Sequence, residues 1–215
     1  LEQALCEFER SLSIQKNATY VHPEWLFQYA CALDMMGNFY DEDSYYLRAI
    51  EIFSHVLTVD PEFSEVHHRL ALAFSHLGEL QGEMENFYRS LHHYRLAAKH
   101  DDENDQLILD WALTLINAAQ QAEEASEADQ CYREAEAKLT QAALLGHPAA
   151  YYHLGCLYCL LKQQENALHF LEKAALFDCL PSIEEILEDE WLEDLKATAD
   201  FNEFLARLEK KLYRT

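Results

Sequence analysis

Two cysteines in this chain have the spacing of a reactive or metal-binding pair. They form the motif Cys156-x-x-Cys159. A structural zinc site needs three or four ligands on converging elements, and a redox pair needs a helix N-terminus that lowers the pKa of one thiol. This pair lies instead within an apolar helical pattern, and no second C-x-x-C or H-x-x-x-H motif follows it. We therefore predict no metal or other cofactor here.

The eleven histidines include two adjacent pairs, His67-His68 and His92-His93. Neighbouring residues on a helix point about 100° apart, so neither pair can chelate as an i, i+4 pair can. The chain also lacks a nucleophile elbow, an H-E-x-x-H motif and, with five glycines, a glycine-rich phosphate loop. We predict that the protein is not an enzyme.

Acidic residues dominate the charge, which is −23 at pH 7. This field repels nucleic acid and anionic lipid, so neither is an expected partner. An acidic run extends from Glu184 to Asp194. It is either the solvated face of terminal helices or a docking surface for a basic partner.

The six cysteines lie mostly within apolar helical patterns, which predicts free thiols in a reducing compartment and a cytoplasmic location. The longest apolar run, residues 149–161, is shorter than the roughly 18 residues that a membrane span needs. We also expect residues 1–12 to form the second helix of a repeat whose first helix is missing, so that the chain starts inside an array.

The sequence around several of these cysteines and histidines repeats with a period of 41 positions. The matched pairs are Ala30 and Ala71, Gly37 and Gly78, and Phe53 and Tyr94. A fixed period of this size indicates stacked supersecondary units that share a continuous core. Few Gly and Pro residues in a chain of 215 favour helices over hairpins, so the predicted fold class is all-α.

The last unit carries the clearest motif, with large and small residues at helix–turn–helix intervals. They are Tyr151, Leu154, Gly155, Tyr158, Ala167, Leu171 and Ala174, followed by Pro181. This pattern resembles the tetratricopeptide (TPR) repeat, and the segment 143–155 also looks like a Sel1-type repeat. The resemblance implies a right-handed superhelical solenoid of antiparallel helix pairs.

The same template divides the chain into an array over residues 1–181 and C-terminal acidic capping helices over 182–215. Within the array we predict a partial repeat at 1–20 and full repeats at about 23–63, 64–104, 105–147 and 148–181. The first two full repeats have about seven residues more than the standard motif. We assign this excess to the hairpins, whose tips would project from the stack.

The third repeat is degenerate, and its connection from Ala118 to Glu134 has no Gly or Pro. Its composition of helix formers predicts that the connection lengthens the two helices. The alternative is a mobile acidic loop.

TPR proteins line their ligand groove with the first helix of each pair, and this resemblance assigns candidate partner-binding residues here. They are Phe27, Cys31, Met35, His68, Leu72, His76, Leu109, Leu113, Ile116, Tyr152, Cys156 and Cys159. The set is apolar and aromatic and lacks the basic residues that grip a peptide carboxylate. It suits an extended apolar peptide or an amphipathic helix. Two alternatives stay open: these side chains pack on neighbouring helices, or the chain's own C-terminal segment fills the groove.

The function that this pattern predicts is a non-catalytic interaction scaffold or adaptor that acts on a protein or peptide with an apolar segment, with a chaperone role as one form. A narrower version is a type III secretion chaperone of the TPR class. The alternative is a structural repeat scaffold that oligomerises through its hairpin tips, its acidic cap or its incomplete first repeat.

Overall fold

The computed structural model describes residue 10 and residues 22–212. For residues 211 and 212 it describes the backbone alone. These residues form helices and irregular connections, without a strand among them. The helices are α1 (Pro23–Tyr40), α2 (Asp43–Val59), α3 (Glu65–Gln81), α4 (Met84–Ala97), α5 (Asp105–Gln121), α6 (Ala125–Leu145), α7 (Ala150–Leu160), α8 (Gln164–Leu176), α9 (Ile183–Glu188), α10 (Glu193–Lys196) and α11 (Ala199–Leu212), with a 3₁₀ turn at Glu190–Leu192. The prediction of an all-α fold is confirmed. The helix predicted over residues 1–12 lies outside the described residues, apart from Arg10.

The chain divides into two compact units. Unit 1 comprises the described residues up to 102 together with 120–128, and unit 2 comprises 103–119 and the described residues from 129 onward.

Unit 1 is built on two antiparallel helix pairs, α1 with α2 and α3 with α4. Apolar residues recur at helical spacing along each helix, so one stripe of each is withdrawn from water. Aromatic rings fill the centre of this core. The ring of Phe27 lies 5.8 Å from that of Phe53 and 5.0 Å from that of Phe63.

Small residues stand where paired helices approach most closely. A Cβ atom at Gly37 would lie 2.6 Å from the ring of Tyr46, and one at Gly78 would lie 3.1 Å from the ring of Phe87. Ser90, in the second pair, is buried and donates its hydroxyl hydrogen to the Ala71 carbonyl at 2.6 Å. The recurring small residues of the sequence are therefore contact points between the helices of a pair.

The expectation of long hairpin tips is wrong. Only residues 41–42 separate α1 from α2, and only 82–83 separate α3 from α4. The extra residues lie at the opposite end, in the N-terminal parts of α1 and α3, which have 18 and 17 residues against 11 in α7. The glycine and the small residue of the partner helix are twelve positions apart in all three pairs, so the hairpins themselves are of one length.

Helix α5 extends to Gln121, and helix α6 begins at Ala125. The connection from Ala118 to Glu134 therefore lengthens the two helices, as predicted. A mobile acidic loop is not present between them. Within unit 2, the Lys138 ammonium lies 3.9 Å from the centre of the Trp111 ring, which joins these two helices by a cation–π contact.

The C-terminal helices of unit 2 cover the pair α7–α8, which confirms the predicted cap. The buried residues of this core come from both parts: Tyr152, Cys156, Cys159, Ala167, Leu171 and Ala174 from the pair, and Ile186, Leu192, Leu195, Phe201, Phe204 and Leu205 from the cap. The cap begins with a capping box, in which Ser182 and Glu185 satisfy each other's backbone N–H groups. Its acidic side chains Glu184, Glu188 and Glu190 stay exposed.

Candidate functional site

The exposed surface of α1 and α3 in unit 1 is the part of the described chain where predicted partner-binding residues remain accessible. The two helices touch each other, and each also packs on α2 through its buried stripe. Because residues 41 positions apart are equivalent, their exposed and half-buried positions form matched rows. The rows are Cys31 with Leu72, Met35 with His76, Asn38 with Glu79, and Phe39 with Leu80. We call these eight residues the α1/α3 face.

Apolar side chains project from this face into solvent. The exposed fraction is 53% for Met35, 70% for Phe39 and 41% for Leu80. Met35 and Phe39 lie one helical turn apart, so they share a side of α1. The face therefore carries a row of large apolar groups that the described part of the chain leaves uncovered.

A polar network lies beside these apolar groups. His76 Nδ1 donates a hydrogen bond to the buried Asp34 carboxylate at 3.2 Å, which joins α3 to α1. The Tyr46 hydroxyl donates to Asn38 Oδ1 at 2.7 Å, which joins α2 to the end of α1. The rings of Tyr46 and His76 lie 5.5 Å apart, so the two bonds hold one continuous cluster.

The cluster surrounds a cavity of about 270 Å³ near the C-terminal ends of α1 and α3. It is lined by Asn38, Asp41, Tyr46, His76, Glu79 and Leu80. Glu79 accepts a hydrogen bond from Ser75 Oγ at 3.0 Å, which fixes the carboxylate along α3. Asp41 ends α1 in a left-handed conformation with φ 52°. The cavity thus combines two carboxylates with aromatic and apolar walls.

The electrostatic field at this cavity is negative. Burial raises the pKa of Tyr46 to about 12, and three carboxylates add to this rise: Asp34, Asp41 and Glu79. Burial also raises the pKa of Cys31 to about 11, against a partly offsetting effect of Arg69. Both groups therefore stay protonated at neutral pH, and Cys31 is not an activated nucleophile.

The predicted site residues of unit 1 fall into two sets. Cys31, His68, Leu72 and His76 are half-buried and Met35 is exposed, so a partner can reach them. Phe27 is 6% exposed and packed among aromatic rings of the core. An alignment offset of one residue rotates a side chain by about 100°, which explains how a core residue entered the predicted set.

The predicted site residues of unit 2 are mostly enclosed. Leu109 and Ile116 are buried, and Leu113 is half-buried. Tyr152, Cys156 and Cys159 lie under the C-terminal cap. In this last pair, the surface predicted for a partner is occupied by the chain's own terminal helices.

Asp189 fastens the cap to α7. Its Oδ2 atom accepts hydrogen bonds from the Tyr152 hydroxyl at 2.6 Å and from the Cys156 thiol at 3.6 Å, while its Oδ1 atom accepts from the Trp191 backbone N–H at 2.8 Å. Burial raises the pKa of both Tyr152 and Cys156 above their usual ranges. The Cys156-x-x-Cys159 motif is thus part of a packed contact.

The sequence placed His76 among the candidate residues, but it did not predict the bond of His76 to Asp34 or the contributions of Asn38, Tyr46 and Glu79. Asp34 and His76 are 42 positions apart, and Tyr46 belongs to the second helix of its pair. The available signal was the repeat itself, because Asn38 and Phe39 stand one period before Glu79 and Leu80. Extending the aligned rows by one helical turn identifies these positions.

Neither a metal-binding cluster nor a membrane-spanning helix is present among the described residues. No three His, Cys, Asp or Glu side chains within the described ranges are arranged to hold a metal ion. Across residues 22–212, no helix combines the length and apolar character that crossing a membrane requires. The five described cysteines are free thiols.

The fold is that of TPR-like repeat proteins. No protein-family model and no curated protein matches the sequence. Solved structures do match, at low sequence identity. MamA from residue 41 onward, from Desulfovibrio magneticus RS-1, is 17% identical with a TM-score of 0.58, over 82% of this chain and 85% of that one. The crystal structure of TTC0263, a thermophilic TPR protein of Thermus thermophilus, is 16% identical with a TM-score of 0.59, over 89% and 91% of the two chains.

Proposed function

We propose that this protein is a non-catalytic interaction scaffold that binds an apolar segment of a partner protein along the α1/α3 face. The observation that carries the proposal is the row of apolar side chains on that face that the described residues leave exposed, above all Phe39 and Met35. The likeness to TPR structures supports the class of function, since that fold presents helix surfaces to protein partners. A chaperone role is one form of this activity.

The energetics of such a surface favour a peptide or helix with a few apolar anchors. Burying one large apolar side chain stabilises a complex by about 1.5–3 kcal/mol. Phe39, Met35 and Leu80 offer three such positions on adjacent helices. Because binding energy concentrates in a few buried anchors, we expect these three positions to contribute most of the affinity.

The chemistry of the face also argues against a partner's C-terminal carboxylate as the bound group. A carboxylate needs charge-assisted donors to offset its desolvation. The cavity beside the anchors presents the carboxylates Asp41 and Glu79, which repel a second negative charge. We therefore propose binding of an internal segment.

The experiment is a quantitative affinity capture from cells of the native source, with two double variants. Met35→Glu with Leu72→Glu places charges on the α1/α3 face, whereas Leu47→Glu with Val59→Glu places the same charges on exposed positions of α2. Proteins held by the wild type and the α2 variant, and lost from the α1/α3 variant, are the expected partners. Equal capture by both folded variants contradicts the assignment.

A further inference from the structure

The cavity next to the apolar anchors has a charge that selects a particular kind of partner. Two of its six lining residues, Asp41 and Glu79, are carboxylates, and none is Lys or Arg. Asp34, behind His76, adds a third carboxylate close enough to raise the pKa of Tyr46. The cavity therefore presents the carboxylates of Asp41 and Glu79 on its walls, and its basic lining residue, His76, is bound to Asp34.

The size and lining of the cavity suit one side chain. Its volume of about 270 Å³ lies at the low end of small-molecule sites, which measure roughly 300–1,000 Å³. Leu80 and the Tyr46 ring offer apolar surface to a methylene stem, and the carboxylates of Asp41 and Glu79 line the same cavity. Lysine and arginine combine such a stem with a cation.

The cavity also adjoins the apolar anchors. Leu80 belongs to both, because it lines the cavity and projects from the α1/α3 face. Asn38 lines the cavity and directly precedes the exposed Phe39. A segment seated on the anchors would therefore place a neighbouring side chain at the cavity.

We propose that the α1/α3 face selects partner segments in which a lysine or arginine stands beside the apolar anchors, with its cation held in the cavity by Asp41 and Glu79. This inference rests on the proposed function, since it names the chemistry of the segment bound there. The charge complementarity adds to specificity and to the association rate, and salt weakens it.

The test is a selection of random twelve-residue peptides displayed on phage against four forms of the full chain. The first is the wild type and the second is Asp41→Asn with Glu79→Gln, in which asparagine tolerates the left-handed backbone of position 41. The third is Glu51→Gln with Glu62→Gln, which removes the same charge from exposed positions elsewhere in unit 1. The fourth is Met35→Glu with Leu72→Glu.

The wild type and the Glu51/Glu62 variant are expected to enrich peptides with Lys or Arg next to Leu, Ile, Phe or Met. The Asp41/Glu79 variant is expected to keep the apolar preference and lose the basic one. Apolar enrichment without a basic preference in the wild type overturns this inference while the proposed function stands. Enrichment that is the same on the Met35/Leu72 variant contradicts the proposed function itself, and this inference with it.

A binding cycle with one selected peptide measures the contact directly. Replacing its Lys or Arg by norleucine should weaken binding to the wild type about fivefold, and should leave binding to the Asp41→Asn, Glu79→Gln variant unchanged. An equal loss on both proteins would place the cation outside this cavity and overturn the proposal.

Discussion

At the scale of single residues, Gly37 sets how closely α1 approaches α2. The ring that fills the space above it belongs to Tyr46, which is also a wall of the cavity. Packing and the candidate site therefore depend on the same contact. The equivalent contact one period later, between Gly78 and Phe87, is looser.

Replacing Gly37 by alanine should destabilise the protein by about 1–3 kcal/mol, because the new methyl group overlaps a ring held in the core. The same change at Gly78 should cost less, since its Cβ contact is 3.1 Å instead of 2.6 Å and alanine gains about 1 kcal/mol of helix propensity. Urea unfolding followed by circular dichroism measures both. A larger cost at Gly78 would contradict the packing described here.

We expect a cluster of histidines in unit 1 to make stability depend on pH. His67 Nδ1 and His93 Nδ1 lie 3.1 Å apart, so one ring must donate and the other accept a hydrogen bond. Burial lowers the pKa of His93 to about 4, and the neighbouring charges of His67 and His92 act in the same direction. Phe74, with Arg89 over its ring, stacks on His93 from α3. Burial likewise lowers the pKa of His67, with His100 and His92 adding to the effect.

The folded pKa of His93 is below its unfolded value of 6.5, so the unfolded chain binds the proton more readily. The contribution of the neutral His93 ring to the free energy of unfolding is complete above pH 6.5, falls as the pH drops, and is lost near pH 4. We expect a loss on the order of 1–2 kcal/mol, less than the full shift implies because the ring is partly exposed.

The measurement is urea unfolding between pH 7.5 and 5.5, above the calculated pI of 4.7. Replacing His93 by phenylalanine should reduce the change of the unfolding free energy with pH by the amount that His93 contributes. The new ring can still stack on Phe74. The control is His169→Gln, an exposed histidine, which should leave the slope as in the wild type. A slope that His93→Phe does not change would refute this assignment.

At the scale of elements, the C-terminal cap packs on α7 and α8 through apolar side chains, and the Asp189 carboxylate adds hydrogen bonds to α7. Replacing Asp189 by alanine leaves the Tyr152 hydroxyl and the Cys156 thiol without their acceptor and removes the side-chain cap of the 3₁₀ turn. A loss of about 2 kcal/mol is expected for opening of the cap.

Thiol labelling detects that opening. Cys156 and Cys159 are 0% and 1% exposed, so they react only when the cap leaves α7. In Asp189→Ala their labelling by iodoacetamide, resolved by mass spectrometry, should be roughly thirtyfold faster, as 2 kcal/mol implies. Glu188→Ala, an exposed neighbour, should label as the wild type does. Unchanged rates in Asp189→Ala would show that Asp189 does not hold the cap.

Most helices could be predicted from the sequence because small residues such as Gly37 and Gly155 mark where helices must touch. These small residues do not indicate where a helix begins. The additional turns of α1 and α3 therefore appeared as longer hairpins, although Pro23 in the first turn of α1 signalled an early start. The handedness of the stacking remains a prediction.

At the scale of the whole molecule, net charge and the candidate site point to one kind of partner. The charge of −23 favours encounters with basic partners at any surface, but it does not choose a binding position. We propose that this position is set by Met35, Phe39 and Leu80, which the described residues leave exposed near a cavity lined by two carboxylates. On this proposal the apolar groups supply affinity and the charge supplies selection.

The candidate site could be predicted only in part, for a physical reason. Met35 and Leu72 follow from repeat positions, because each helix presents one side to solvent. Tyr152 and Cys156 have the same pattern, but the C-terminal helices bury them. A local pattern shows which side chains share a helix face, whereas residues distant in sequence determine whether that face is buried.

Site-specific photocrosslinking is the most direct test of the central claim that the α1/α3 face binds the partner. Benzoylphenylalanine is placed at Phe39, on the face, or at Leu47, exposed on α2. We expect crosslinks from position 39 to the captured partner, through an apolar segment of that partner, and we expect them to be lost when Leu72→Glu is added. Crosslinks from position 47 alone, or crosslinks from position 39 that persist with Leu72→Glu, would contradict this claim.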